Sequence, residues 1–188
     1  MKKIMAITAA LVMAASMTAC STSSGGSSVI TTTTPAPLPD TGLTNTFTNF
    51  TFTFDGIKYT GTYTGGTILS KFTSGDGTFT GESKDGSTIQ ATGVWGDSEL
   101  SGGKGEVNVT YKSGEVIAAT LKGWFVKNVL TGDAEITFYY SKEFAAENGI
   151  DRIVCKGEAD PDSPTYLAFP YSYTAYKDNA VVSEGIAE

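Results

Sequence analysis

Residues 50–63 read Phe50-Thr-Phe-Thr-Phe-Asp-Gly-Ile-Lys-Tyr-Thr-Gly-Thr-Tyr63. Phe50, Phe52 and Phe54 alternate with Thr51 and Thr53; past Asp55-Gly56 the pattern resumes with Ile57, Tyr59, Gly61 and Tyr63. Successive strand residues point to opposite faces, so this alternation gives one aromatic face and one threonine face. An Asp-Gly pair between two such runs is the strongest short-range hairpin signal.

The same texture extends outward. Hairpin units surround Lys84-Asp85-Gly86, Lys112-Ser113-Gly114 and Lys177-Asp178-Asn179, and Ile89, Ala91, Gly93, Trp95 alternate, as do Val107, Val109, Tyr111. Thr, Val, Ile, Tyr and Phe suit a pleated, half-buried surface. One helix is expected, Ser141 to Gly149, with Ser as N-cap and Gly as stop. At two turns it can only decorate a sheet. The expected fold class is all-β, an antiparallel meander of successive hairpins.

A longer period is superimposed. Three times a turn glycine is followed by Gly-x-aromatic and then Gly-x-Gly or a near version. The passes are Asp55-Gly56, Gly61-Thr-Tyr63, Gly75-Asp-Gly77; then Asp85-Gly86, Gly93-Val-Trp95, Gly103-Lys-Gly105; then Ser113-Gly114, Gly123-Trp-Phe125, Gly132-Asp-Ala134. The third element starts at 75, 103 and 132, spacings of 28 and 29 residues. Glycine lets strands pass closely, and the aromatic covers a neighbouring glycine's bare backbone. Tyr59-Thr-Gly61-Thr-Tyr63 and the glycines after it resemble MORN repeats, over roughly residues 54 to 134. These units are longer than MORN units, Ala91 and Leu121 stand where that family has Tyr, and Ala134 ends the third pass. The resemblance implies an open sheet. A rival resemblance is to the small β-barrels of transferrin-binding-protein-type surface lipoproteins, and it implies a closed barrel.

The N-terminal segment reads as a leader. Lys2 and Lys3 form a positive n-region, Ile4 to Met17 an apolar stretch, and Thr18-Ala19-Cys20 a small-residue exit. A spanning helix needs roughly 20 apolar residues, more than this stretch has. Met17-Thr18-Ala19-Cys20 resembles the lipobox of bacterial lipoproteins, with Met where the family prefers Leu. The resemblance implies lipid on Cys20, cleavage before it, and stable membrane anchoring through acyl chains such as palmitate. Ser21 in place of Asp favours the outer membrane if the source has two membranes. Residues 20–43 are rich in Ser, Thr, Gly and Pro and read as a disordered tether. The expected organisation is thus 1–19 signal peptide, 20–43 lipidated tether and 44–188 one all-β domain. Leu38-Pro-Asp-Thr-Gly42 matches a sortase motif but lacks the apolar stretch and basic tail that the motif needs after it.

Composition narrows the chemistry. Cleavage would remove Lys2 and Lys3 from 13 basic residues, against 20 acidic ones, leaving a net charge near −9. Such a surface repels phosphate backbones, so nucleic acid is not expected as a partner. The chain has no histidine, which excludes Ser-His-Asp and Cys-His catalysis and histidine metal sites. Lipidation would commit Cys20, leaving Cys155 as a lone thiol best read as a small buried hydrophobe. Ser101-Gly-Gly-Lys104 matches Ser-x-x-Lys, but its two glycines argue for a turn rather than the helix that motif requires. Glu158, Asp160 and Asp162 are the densest acidic group, read as a solvated loop in preference to a calcium site. No cofactor and no metal are expected.

Aromatic residues remain as the source of a binding surface: Trp95, Trp124 and Phe125 first, with Tyr166, Tyr171, Tyr173 and Tyr176 behind them. Adjacent Trp124 and Phe125 must face opposite sides of a sheet. The expected function is that of a membrane-anchored envelope lipoprotein, tethered through lipid on Cys20. Its non-enzymatic β-domain would bind a protein or glycan or brace the envelope. The alternative is a carboxylate-dependent hydrolase acting on envelope or extracellular glycan.

Overall fold

The computed structural model describes residues 44–68 and 72–188. The leader, Cys20 and the tether lie outside them. Ten strands follow one another: β1 (Thr44–Phe54), β2 (Ile57–Ile68), β3 (Phe72–Ser83), β4 (Thr88–Gly96), β5 (Glu99–Thr110), β6 (Val116–Val126), β7 (Val129–Tyr140), β8 (Arg152–Glu158), β9 (Tyr171–Lys177) and β10 (Ala180–Ala187). They form a single antiparallel sheet in sequence order, a pure meander. Among the described residues β1 and β10 do not pair with each other, so the sheet is open rather than a closed barrel. Both edge strands carry a register break, at Asn49 in β1 and at Val182 in β10. Bulges at exposed edges discourage pairing with a further strand.

Two-residue turns set the register. Asp55-Gly56, Asp97-Ser98, Lys127-Asn128 and Asp178-Asn179 all have positive φ at both positions, the geometry whose twist matches paired strands. Asp-Gly and Asp-Asn are expected there; Asp-Ser and Lys-Asn are not. Neighbouring hairpins hold those two. The Ser98 amide donates to Thr73 Oγ1 at 2.7 Å, and Asn128 Oδ1 accepts from the Leu100 amide at 2.7 Å. Between β7 and β8 sits α1 (Lys142–Asn148), where Ser141 Oγ accepts from the Phe144 amide at 3.2 Å and Gly149 ends the helix at φ 69°.

The inward positions of every strand converge on one core. Trp95 sits at its aromatic end, with ring centroids 5.1 Å from Tyr63 and 5.3 Å from Phe52. The inward-facing glycines line up across strands in register: Gly65 with Gly77, Gly77 with Gly93, Gly93 with Gly105, and Gly105 with Gly123. Core side chains occupy the space these glycines leave. Phe125 lies 3.1 Å from where a Cβ on Gly105 would stand, and Trp95 Nε1 donates to the Gly77 carbonyl at 2.9 Å. The recurring glycine is thus a row along which the strands approach closely. Cys155 is buried on β8, unpaired with any other cysteine among the described residues.

The core predicts an alkaline limit. Burial first, then nearby carboxylates, pushes the Tyr59 and Tyr63 phenols from 10.0 up to about 12, and burial pushes the Cys155 thiol from 9.0 up to about 12. An unfolded chain releases these protons near its ordinary values while the folded chain still holds them. The stability these groups contribute is therefore fully present below about pH 9 and lost as pH rises through about 12. Phenolate absorbance and circular dichroism followed together should show buried tyrosines ionising with unfolding, not ahead of it.

Candidate functional site

The meander leaves its outer face to solvent, and alternation decides what stands there. Thr48, Thr62, Thr80, Gln90, Asn108 and Thr120 form an unbroken cross-strand row from β1 to β6 with no charged side chain. A parallel row runs Thr46, Thr64, Thr78 and Thr92, with Oγ1–Oγ1 contacts of 3.2 Å for Thr46–Thr64 and 3.1 Å for Thr78–Thr92. That second row continues as charges: Glu106 accepts Lys122 at 3.4 Å and Glu135 accepts Lys156 at 2.9 Å. The Asn108 side-chain amide donates to Glu106 at 2.8 Å and takes the Thr120 hydroxyl at 2.7 Å. This amide, and then Lys122, holds the Glu106 carboxyl below its ordinary value.

Trp124 rises from this face. It is 40% exposed, while the adjacent Phe125 is wholly buried, as opposite strand faces require. Register places Trp124 between Lys104 on β5 and Thr131 on β7. A shallow trough of about 550 Å³ surrounds it, with Lys104, Lys122, Asp133, Glu135 and Lys156 on its walls. Of the three leading aromatic candidates, Trp95 and Phe125 belong to the core because their positions point inward, and neither offers a surface to a partner. Tyr166 and Tyr171 are buried too, and Tyr173 packs partly buried against the core. Tyr176 is half-buried, with the Arg152 guanidinium 4.2 Å from its ring centroid. Ser101 and Lys104 lie within strand β5 rather than in a turn, and Ser101 Oγ accepts the Lys127 amide at 3.1 Å. In the acidic loop, Asp160 accepts the Asp162 amide at 2.9 Å.

A second concavity lies where three turns meet. Asp55 from the β1–β2 turn, Lys127 and Val129 at the β6–β7 turn, Glu99 at the start of β5 and Tyr166 line a cleft of about 380 Å³. Tyr166 has φ 61°, a left-handed conformation that an aromatic residue adopts only when held there. Its hydroxyl donates to Asp55 Oδ2 at 2.9 Å, and its carbonyl accepts the Asp160 amide at 2.9 Å. Burial first, then the nearby Tyr111 and Asp55, drives the phenol far above its ordinary value, so Tyr166 acts as a donor throughout the physiological range. Tyr166→Phe is expected to cost about 1–2 kcal/mol in urea unfolding, the worth of a hydrogen bond to a partly solvated carboxylate.

Sequence alone separates Lys104 from Trp124 and Asp55 from Tyr166; only the register and the 159–170 loop bring each pair together. The threonine rows carried a signal in the alternation, but which threonines are neighbours depends on pairing. No family model, no curated protein and no solved structure matches this chain.

Proposed function

We propose that this chain is a membrane-anchored envelope lipoprotein whose β-domain binds a protein or glycan partner, or braces the envelope, without chemical transformation. One observation carries the binding reading: Trp124 stands exposed on the outer sheet face among Lys104, Lys122, Thr131 and Asp133, while its neighbour Phe125 is in the core. An exposed tryptophan framed by polar side chains is the composition expected of a recognition surface. The lipobox-like Met17-Thr18-Ala19-Cys20 and the Ser/Thr/Gly/Pro segment after it support the anchoring part. The outer membrane is the expected address in a two-membrane cell. The open sheet and the aligned glycines support the MORN-like reading over the barrel-type rival.

Two experiments test the two parts. Cys20→Ser should release the protein from the membrane fraction and change its gel mobility; persistence in the membrane with unchanged mobility removes the anchoring reading. Cross-linking capture from intact envelopes should recover a partner with the parent chain and markedly less with Trp124→Ala, at equal abundance. Equal recovery counts against Trp124 as the contact.

A second reading, the carboxylate-dependent hydrolase, draws on Asp55 and Glu99 lining one cleft. It requires that glycan hydrolysis be measurable and vanish in both Asp55→Asn and Glu99→Gln.

A further inference from the structure

We propose that the outer face of β1 to β6 is a binding lattice for an uncharged polysaccharide, a proposal that deepens the binding reading above and rests on it. The face repeats in two directions. Neighbouring strands lie about 4.8 Å apart and same-face residues along a strand about 6.7 Å. Hydroxyl or amide side chains occupy that grid at Thr48, Thr62, Thr80, Gln90, Asn108 and Thr120, with Thr46, Thr64, Thr78 and Thr92 one row over. Each Thr hydroxyl and each Asn or Gln amide can both donate and accept, which suits a ligand made of hydroxyls. A periodic surface of this kind fits a periodic ligand better than a single small molecule.

Charge selects among polymers. The chain carries 20 acidic residues against 13 basic and is 18% charged overall, yet the six-position row holds no charge. An anionic chain laid along that row would lose hydration without finding a cation within it, and Lys122, beside it on β6, is already paired with Glu106. A neutral sugar chain exchanges water for hydroxyl partners one for one. The row is continuous with the Trp124 region. Thr120 and Trp124 share β6 and face the same way, so the indole gives a ring-stacking platform at one end of the lattice. Tryptophan supplies such contact area with few rotatable bonds to order.

The test is affinity electrophoresis of the full-length chain in detergent. The gels contain hydroxyethylcellulose or glucomannan as neutral probes, polygalacturonate as the acidic probe, or no polymer. Retardation by at least one neutral polymer, unchanged by added salt, is expected, with none by polygalacturonate. Thr80→Lys/Gln90→Glu places an opposite-charge pair at two exposed cross-strand neighbours, which the sheet tolerates. It should weaken retention at least tenfold with unchanged thermal unfolding, whereas Thr80→Ser, which keeps the hydroxyl, should retain it. Trp124→Ala should weaken retention without loss of stability. The proposal is overturned by retention only on polygalacturonate, by no retention on either neutral polymer, or by equal retention of the charged double variant. Should no neutral polymer retain the chain while Trp124→Ala still loses the cross-linked envelope partner, the polysaccharide inference falls and the broader binding reading stands. If the cross-linking difference is absent as well, both fall.

Discussion

Trp95→Ala should destabilise the domain by about 3–5 kcal/mol, the range for truncating a fully buried large aromatic. The indole is 1% exposed and packs against Phe50, Phe52 and Tyr63, with centroids 6.1, 5.3 and 5.1 Å away. Its Nε1 also donates to the Gly77 carbonyl at 2.9 Å, so truncation both opens a cavity and removes that hydrogen bond. Against a usual total of about 5–15 kcal/mol for a folded domain, that loss is a large share. Trp95→Phe keeps most of the packing and loses the hydrogen bond, so about 1–2 kcal/mol is expected. Urea unfolding of the two variants separates packing from hydrogen bonding. A loss below about 1 kcal/mol for Trp95→Ala would show that the aromatic cluster is not what holds β1 to β4 together.

Gly93→Ala should be as damaging, for a different reason. Gly93 lies at φ 151°, and a Cβ there would stand 2.8 Å from both Gly105 Cα and the Lys104 carbonyl oxygen. These are backbone atoms of the adjacent strand and cannot rotate aside. Backbone strain alone costs about 1–3 kcal/mol, and forcing β4 from β5 adds to it, so at least about 3 kcal/mol is expected. Gly132→Ala is the matched control. Its φ is 65° but nothing lies within 4 Å of the new Cβ, leaving only conformational strain of about 1–2 kcal/mol. If the two variants unfold at the same urea concentration, close strand approach along the glycine row is not a determinant of stability.

These two sites show how unevenly the fold is written. The inward parity of Ile89, Ala91, Gly93 and Trp95 is plain in the alternation, so burial of Trp95 follows from its place in that run. The same rule puts Trp124 and Phe125 on opposite faces, but it leaves open which one is wet. That answer came from Leu121 and Ala119, whose inward side chains set the parity of β6 beyond the register break that follows Val116. The three leading binding aromatics therefore reduced to one. The spacing of 28 and 29 residues was visible too, without its meaning. Pairing turns it into a row in which each glycine faces another, and in which Phe125 of one strand fills the gap over Gly105 of the next.

By itself the sequence determined the alternation, the Asp55-Gly56 and Asp178-Asn179 turns, and the capped helix from Ser141 to Gly149. All of these rest on preferences confined to a few neighbouring residues. The tertiary structure alone decided that the sheet ends open, with Asn49 and Val182 breaking its two edges, because closure depends on contacts between chain ends far apart in sequence. It decided the turns at Asp97-Ser98 and Lys127-Asn128, whose weak local preference is overridden by the Ser98 amide's bond to Thr73 and the Leu100 amide's bond to Asn128. It also decided which polar side chains are neighbours on the outer face. A one-residue slip in any pairing would move a whole strand's threonines to the other side, and only the packed core prevents it.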